Sequence, residues 1–166
     1  SLVEQVISGA YWKKRPKTGA ELAIVYCGAV APEAEAAFDE LSEEIPGLGL
    51  LAVTSPDRLH SDWLDAKRRR REERGEASAG IEKILHCLAP DAGLITIIDG
   101  HPATLSWLGA VSGHRVYPLG VETFGQSGDI NDLYEHYGLD TDAILEAAAR
   151  ASLRRISPYN EVFRSG

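Results

Sequence analysis

Apolar runs and apolar stripes alternate along this chain. Residues 22–27 form an unbroken apolar run closed by Gly28, as expected of a strand buried on both faces. Pro32 opens the next stretch, in which Ala34, Ala37, Phe38, Leu41 and Ile45 fall on one helical stripe before Pro46-Gly47. Residues 48–54 read as a second strand, and 57–74 as a helix that turns very polar after Trp63. A third helix carries Ile81, Ile84, Leu85 and Leu88 and stops at Pro90. Residues 94–98 make the strongest strand, closed by Asp99-Gly100; 102–111 read as a helix and 115–121 as a strand. Residues 129–137 and 141–155 form the last helices, with Asp140-Thr141 placed to cap the second of them.

Strands separated by helices of this length make right-handed parallel crossovers. The pattern therefore predicts an α/β fold, a three-layer α/β/α sandwich around a mostly parallel sheet of about five strands. Leu94, Ile95, Ile97 and Ile98 are its expected centre. Residues 1–20 read as a peripheral segment, with the basic, proline-containing stretch 13–18 as a linker. Residues 21–156 form the domain and 157–166 a tail.

Composition narrows the function. With 44% hydrophobic residues in 166, a folded domain with a sizeable core is expected. No apolar run approaches a membrane span, and the first residues lack a signal-peptide pattern. A net charge of −8 argues against nucleic acid as a partner. The basic run 67–71 is followed directly by Glu72, Glu73 and Glu76 and has no interleaved aromatic, so it reads as a solvated helix or loop. Cys27 and Cys87 lie in or beside apolar runs and read as buried free thiols, which points to a cytoplasmic location. The chain has no Met, which fits a piece of something longer.

In open α/β sheets ligands sit beyond the carboxyl ends of the strands. Here those ends carry Gly28, Thr54-Ser55, Asp99-Gly100-His101 and Gly120. Asp99 and His101 are the pair with acid–base potential and the candidate edge for a ligand or substrate channel. The plainer reading is that Asp99 caps the next helix, Gly100 makes the turn and His101 is exposed. Ser106 and Ser127 lack a nucleophile-elbow context, so no catalytic residue is assigned. His60, His86-Cys87, His114 and His136 lack metal-site spacing. Gly93, Gly125 and Gly128 match no phosphate loop, and Ser127 or Asp129 reads as a helix cap.

One phrase is more specific. Phe124-Gly125-Gln126-Ser127-Gly128 leads through Asp132-Leu133-Tyr134 to Tyr137-Gly138-Leu139-Asp140. This resembles the end of the third, C-terminal domain of transketolase-like, thiamine-diphosphate-dependent enzymes, with Phe124, Gly125, Ser127 and Gly138 as its structural motif. Ala23-Ile24-Val25-Tyr26-Cys27-Gly28 resembles that domain's opening strand, although Gly28-Ala29-Val30 stands where others have a serine. The stretch from Leu51 through Leu59, the Ile98-Asp99-Gly100-His101-Pro102 segment and the Gly9-Ala10-Tyr11 phrase are similar to the homodimeric pyruvate dehydrogenase E1 branch. Sugar transketolases usually have a shorter middle than residues 60–78. The resemblance implies a structural, subunit-interface domain that is inactive alone, in a parent using thiamine diphosphate and magnesium held by its other domains. The implied partners are the parent's own N-terminal and middle domains, a second subunit in a homodimer, and an acyltransferase (E2) component. The alternatives are the same domain of a sugar transketolase, a free-standing regulatory module binding a small ligand, and a small independent α/β enzyme.

Overall fold

The computed structural model describes residues 9–72, 75–121 and 139–156. Five strands and six helices follow one another along them. They are β1 (Ala10–Lys14), β2 (Ala20–Cys27), α1 (Ala31–Glu44), β3 (Gly49–Val53), α2 (Pro56–Glu72) and α3 (Gly80–Leu85). After these come β4 (Leu88–Ile98), α4 (Ala103–Ser106), α5 (Gly109–Ser112), β5 (Arg115–Leu119) and α6 (Thr141–Ile156). The sheet order is β1-β3-β2-β4-β5. All neighbours are parallel except β1, which runs antiparallel to β3. The expected three-layer α/β architecture is the one observed.

The two faces of the sheet bury separate cores. Ile24, Leu50, Ile95 and Ile97 point toward α1 and α6, where Ala34, Ala37, Leu41, Ile144 and Ala148 receive them. Val25, Leu51, Leu94 and Ile98 point the other way, toward Leu59 and Trp63 of α2, Ile81 and Ile84 of α3, and Leu105 of α4. Strand residues buried on both faces explain the continuous apolar runs in the sequence. Asp140 Oδ1 accepts the Ala143 N–H at 2.9 Å, starting α6 as expected.

Three elements differ from the sequence reading. The first is β1, which lies within the segment read as peripheral. Ala10 and Trp12 are buried, and Ala10, Tyr11 and Trp12 pair with Val53, Ala52 and Leu51. The Trp12 indole N–H donates to the Ile84 carbonyl at 3.1 Å, locking β1 to α3. Gly49 makes room for that ring: a Cβ there would lie 2.7 Å from Trp12 Cζ3. A five-residue edge strand that runs into Lys13 and Lys14 has too little alternation to announce itself.

The second is the stretch around Pro90. The helix ends at Leu85, and Leu88 and Pro90 belong to β4, not to the helix. Ala20 pairs with Leu88 and Leu22 with Gly93, so the partner strands lose register across Pro90. A proline is tolerated at such an irregularity, where no ladder N–H is required of it. The third is the segment 102–111, which breaks into α4 and α5. Leu108, Ala110 and Val111 donate to the carbonyls three residues back, a tight geometry that turns the chain before Gly109.

The basic run 67–71 is helical and continues α2. Arg70 leaves the solvated set. Its two terminal nitrogens meet the Glu82 carboxylate at 2.8 and 2.9 Å, and one of them also reaches the Ala77 carbonyl at 2.6 Å. Glu82 accepts the Ala79 N–H as well, at 2.8 Å, and the Arg70 guanidinium foremost holds its carboxyl below the usual carboxylate range.

His114 is buried between α5 and β5. The Ala92 carbonyl faces its ring, but neither nitrogen reaches hydrogen-bond geometry. Burial first of all pushes its pKa below the ordinary 6.5, against smaller upward pulls from Ala92 and Asp91. The unfolded chain therefore takes up the proton first as the pH falls below 6.5, so protonation favours unfolding. His114 is expected to withdraw stability progressively between pH 6.5 and its lower folded value, at a slope of at most about 1.4 kcal/mol per pH unit. Denaturant melts of the wild type and of His114→Gln at pH 7.5 and 5.5 check this: the variant should lose less stability on acidification.

Candidate functional site

The carboxyl edge of the sheet is where the parallel strands β2, β3, β4 and β5 end. Each end turns sharply, and the groups there are occupied in making those turns. Gly28 has φ +89°, and a Cβ on it would lie 2.1 Å from Asp99 Oδ1. The Asp99 carboxylate fills that space and accepts the Ala29 N–H at 3.1 Å, just ahead of α1. Asp99 therefore does not cap the helix that follows it. That task falls to His101, whose Nδ1 accepts the Ala103 N–H at 3.1 Å. This bond places the proton of the neutral ring on Nε2.

The structure thus sets Asp99 and His101 on one exposed edge but directs each to a different backbone group. Neighbouring turns close in the same manner. The Val121 N–H donates to the Gly100 carbonyl at 2.8 Å, and the Thr54 and Ser55 N–H groups share the Gly9 carbonyl at 2.9 and 3.1 Å.

Cys27 is half-buried at the end of β2, and Cys87 is likewise half-buried. Burial raises the Cys27 thiol pKa most, with Asp99 and then Asp57 adding to it. A thiol held protonated by burial and flanking carboxylates is a poor nucleophile. Among the described residues no group of three His, Cys, Asp or Glu side chains gathers as a metal site would. An open cleft of about 460 Å³ lies between β5 and α6, lined by Tyr117, Leu119, Ala147, Arg150 and Leu153 among others, and neither Asp99 nor His101 lines it. Phe124, Gly125, Ser127 and Gly138 lie outside the described residues.

One cluster escapes sequence reasoning. His60 and Trp63 of α2 meet Trp107, which follows α4. The His60 and Trp107 ring centres are 4.7 Å apart, and Trp63 stacks on Trp107 at 5.3 Å. Trp107 donates to the Thr104 carbonyl at 3.0 Å, and Lys67 Nζ lies 4.4 Å from the Trp63 ring centre. Trp107 lies 44 positions beyond Trp63, so no spacing rule brings the two together. Among the described residues no helix is long and apolar enough to cross a membrane.

No family model matches the sequence. No curated protein matches it either. Solved structures do match. Transketolase from Leishmania mexicana covers 93% of this chain at a TM-score of 0.62 and 19% identity. Transketolase from Campylobacter jejuni covers 87% at 0.59 and 17%. A split-gene transketolase, solved as an inactive β4 tetramer, covers 86% at 0.57 and 17%. The match takes in 19% of the first two chains and 41% of the third, so this chain spans about one fifth of the full-length transketolases it is similar to. At these identities the likeness is one of fold: five strands and their helices are laid out as in the C-terminal domain of a transketolase.

Proposed function

We propose that this chain is the C-terminal, structural and subunit-interface domain of a thiamine-diphosphate-dependent enzyme of the pyruvate dehydrogenase E1 type. The observation that carries the reading is the fold likeness over 93% of this chain to 19% of a transketolase, the relation of one domain to a larger enzyme. The turn chemistry of the carboxyl edge supports a scaffold role, because Asp99 and His101 are engaged by the backbone at Ala29 and Ala103. The long connection between β3 and β4, which holds the 17-residue α2 and then α3, favours the E1 branch over sugar transketolases by resemblance. The transketolase neighbours favour the sugar branch as the second reading.

The described residues do not fit the cofactor. Asp99 faces a backbone N–H, no three His, Cys, Asp or Glu side chains gather among the described residues, and no step of the chemistry is assigned to this chain. In the parent, the cofactor and its metal belong to the other domains.

Two measurements test the proposal. Calorimetry on the 166-residue chain with thiamine diphosphate and magnesium is expected to show no saturable binding; micromolar, magnesium-dependent binding overturns the domain assignment. The parent enzyme is expected to reduce an artificial electron acceptor with a 2-oxo acid as donor. Ketol transfer between sugar phosphates instead would select the second reading, and neither activity would overturn both.

A further inference from the structure

Helix α2 carries two stripes. The inner one is Leu59, Trp63, Ala66 and Arg70, of which the first three are buried and Arg70 is clamped by Glu82. The outer one is His60, Leu64, Lys67, Arg68 and Arg71, which recur at helical spacing about a third of a turn round from the inner stripe. Two properties set this outer stripe apart from ordinary solvated surface.

Its first half is apolar and aromatic. Leu64 is 46% exposed, which is rare for a large apolar side chain among the described residues. One turn back, His60 lies against the half-exposed Trp107, itself stacked on Trp63. Its second half is cationic and held in a fixed phase. The Arg70–Glu82 clamp ties α2 to α3, and Lys67, Arg68 and Arg71 are exposed. Lys67 joins the halves by lying over the Trp63 ring, and Arg68 is steadied by Asp65 at 2.7 Å.

The charge is also out of place. The chain carries −8 overall, and α1 in the opposite layer holds Glu33, Glu35, Asp39, Glu40, Glu43 and Glu44 with no cation. The outer stripe of α2 is thus a local inversion of sign beside exposed aromatic and aliphatic surface. Trp and Arg dominate interface hot spots, and a clustered charge steers an oppositely charged partner.

We propose that the outer face of α2 docks an acidic segment of a separate protein partner. A bulky apolar side chain of that segment would rest against Leu64 and Trp107, with carboxylates on Lys67, Arg68 and Arg71. A permanent contact with another domain of the same polypeptide calls for a broad apolar surface, whereas one leucine among cations suits a partner that associates and leaves. Nucleic acid, with a phosphate at every nucleotide, is disfavoured by the overall charge of −8.

The test uses the 166-residue chain and a fluorescein-labelled helical peptide of glutamates with leucines one turn apart. Saturable binding is expected, weakened about tenfold or more by Lys67→Glu with Arg71→Glu and by high salt. Leu64→Ser should weaken that peptide by about fivefold and leave an all-glutamate peptide unaffected. Unchanged affinity in the charge-reversed chain overturns the proposal. So does tighter binding of a single-stranded RNA, or self-association in sedimentation that the charge reversal abolishes, since either makes a different molecule the occupant. If charge reversal lowers the melting temperature, Lys67→Gln with Arg71→Gln takes its place and must still weaken the peptide.

Discussion

Replacing Trp12 with alanine is expected to cost about 3–5 kcal/mol of folding stability, the range for deleting a large buried aromatic. Trp12 is buried on the α3 face of the sheet, and its indole N–H satisfies the Ile84 carbonyl at 3.1 Å. Alanine leaves a void beside Gly49, which the ring approaches closely because Gly49 has no side chain. It also removes the indole donor from the Ile84 carbonyl, leaving the weak Cys87 S–H at 3.4 Å. Trp12→Phe should recover most of the packing and lose the hydrogen bond, so it should fall between alanine and wild type. Urea melts of the three chains decide the matter. A loss below about 1 kcal/mol for Trp12→Ala would mean that β1 is an ornament on the sheet and not part of it.

Ile97→Ala is the second large effect, expected at about 2–5 kcal/mol. Ile97 is fully buried in β4, pairing with Tyr26 on one side and Leu119 on the other. Its side chain lies in the cluster shared with Ile24, Ile95, Leu139 and Ile144, so a truncation opens a cavity between the sheet and α6. Ile97→Val, which removes one methylene, should cost about 0.5–1.5 kcal/mol at the same site. Equal losses for the two variants would indicate that β4 is not held between two packed layers.

What the sequence disclosed and what it withheld follow from the range of the forces involved. β2 and the last residues of β4 were legible because burial on both faces demands uninterrupted apolar residues, a local signal. The start of α1 at Ala31-Pro32 and the Asp140 cap of α6 were legible for the same reason, since caps act within one turn. β1 was not, because its identity as a strand comes from β3, some 40 residues later. Pro90 misled because a proline ends helices by rule, yet it also fits a strand where register is broken.

The candidate edge shows the same division. That Asp99 and His101 sit beyond β4 could be read from the Ile98-Asp99-Gly100 junction. That Asp99 serves Ala29 depends on Gly28, 71 positions away, leaving space for a carboxylate that no local pattern encodes. The aromatic meeting of His60, Trp63 and Trp107 is tertiary in the same sense.

The antiparallel placement of β1 has a practical consequence for anyone shortening this chain. A fragment begun at residue 21, where the sequence places the domain boundary, would remove the partner of Gly49–Val53. All five of those residues are buried, and four of them are apolar and bulkier than glycine. Without β1 they would present a bare hydrogen-bonding edge with neither charge nor proline to guard it, the arrangement from which strands recruit other strands. Such a fragment should precipitate, whereas one begun at residue 9 keeps the edge covered by a strand that ends in Lys13 and Lys14.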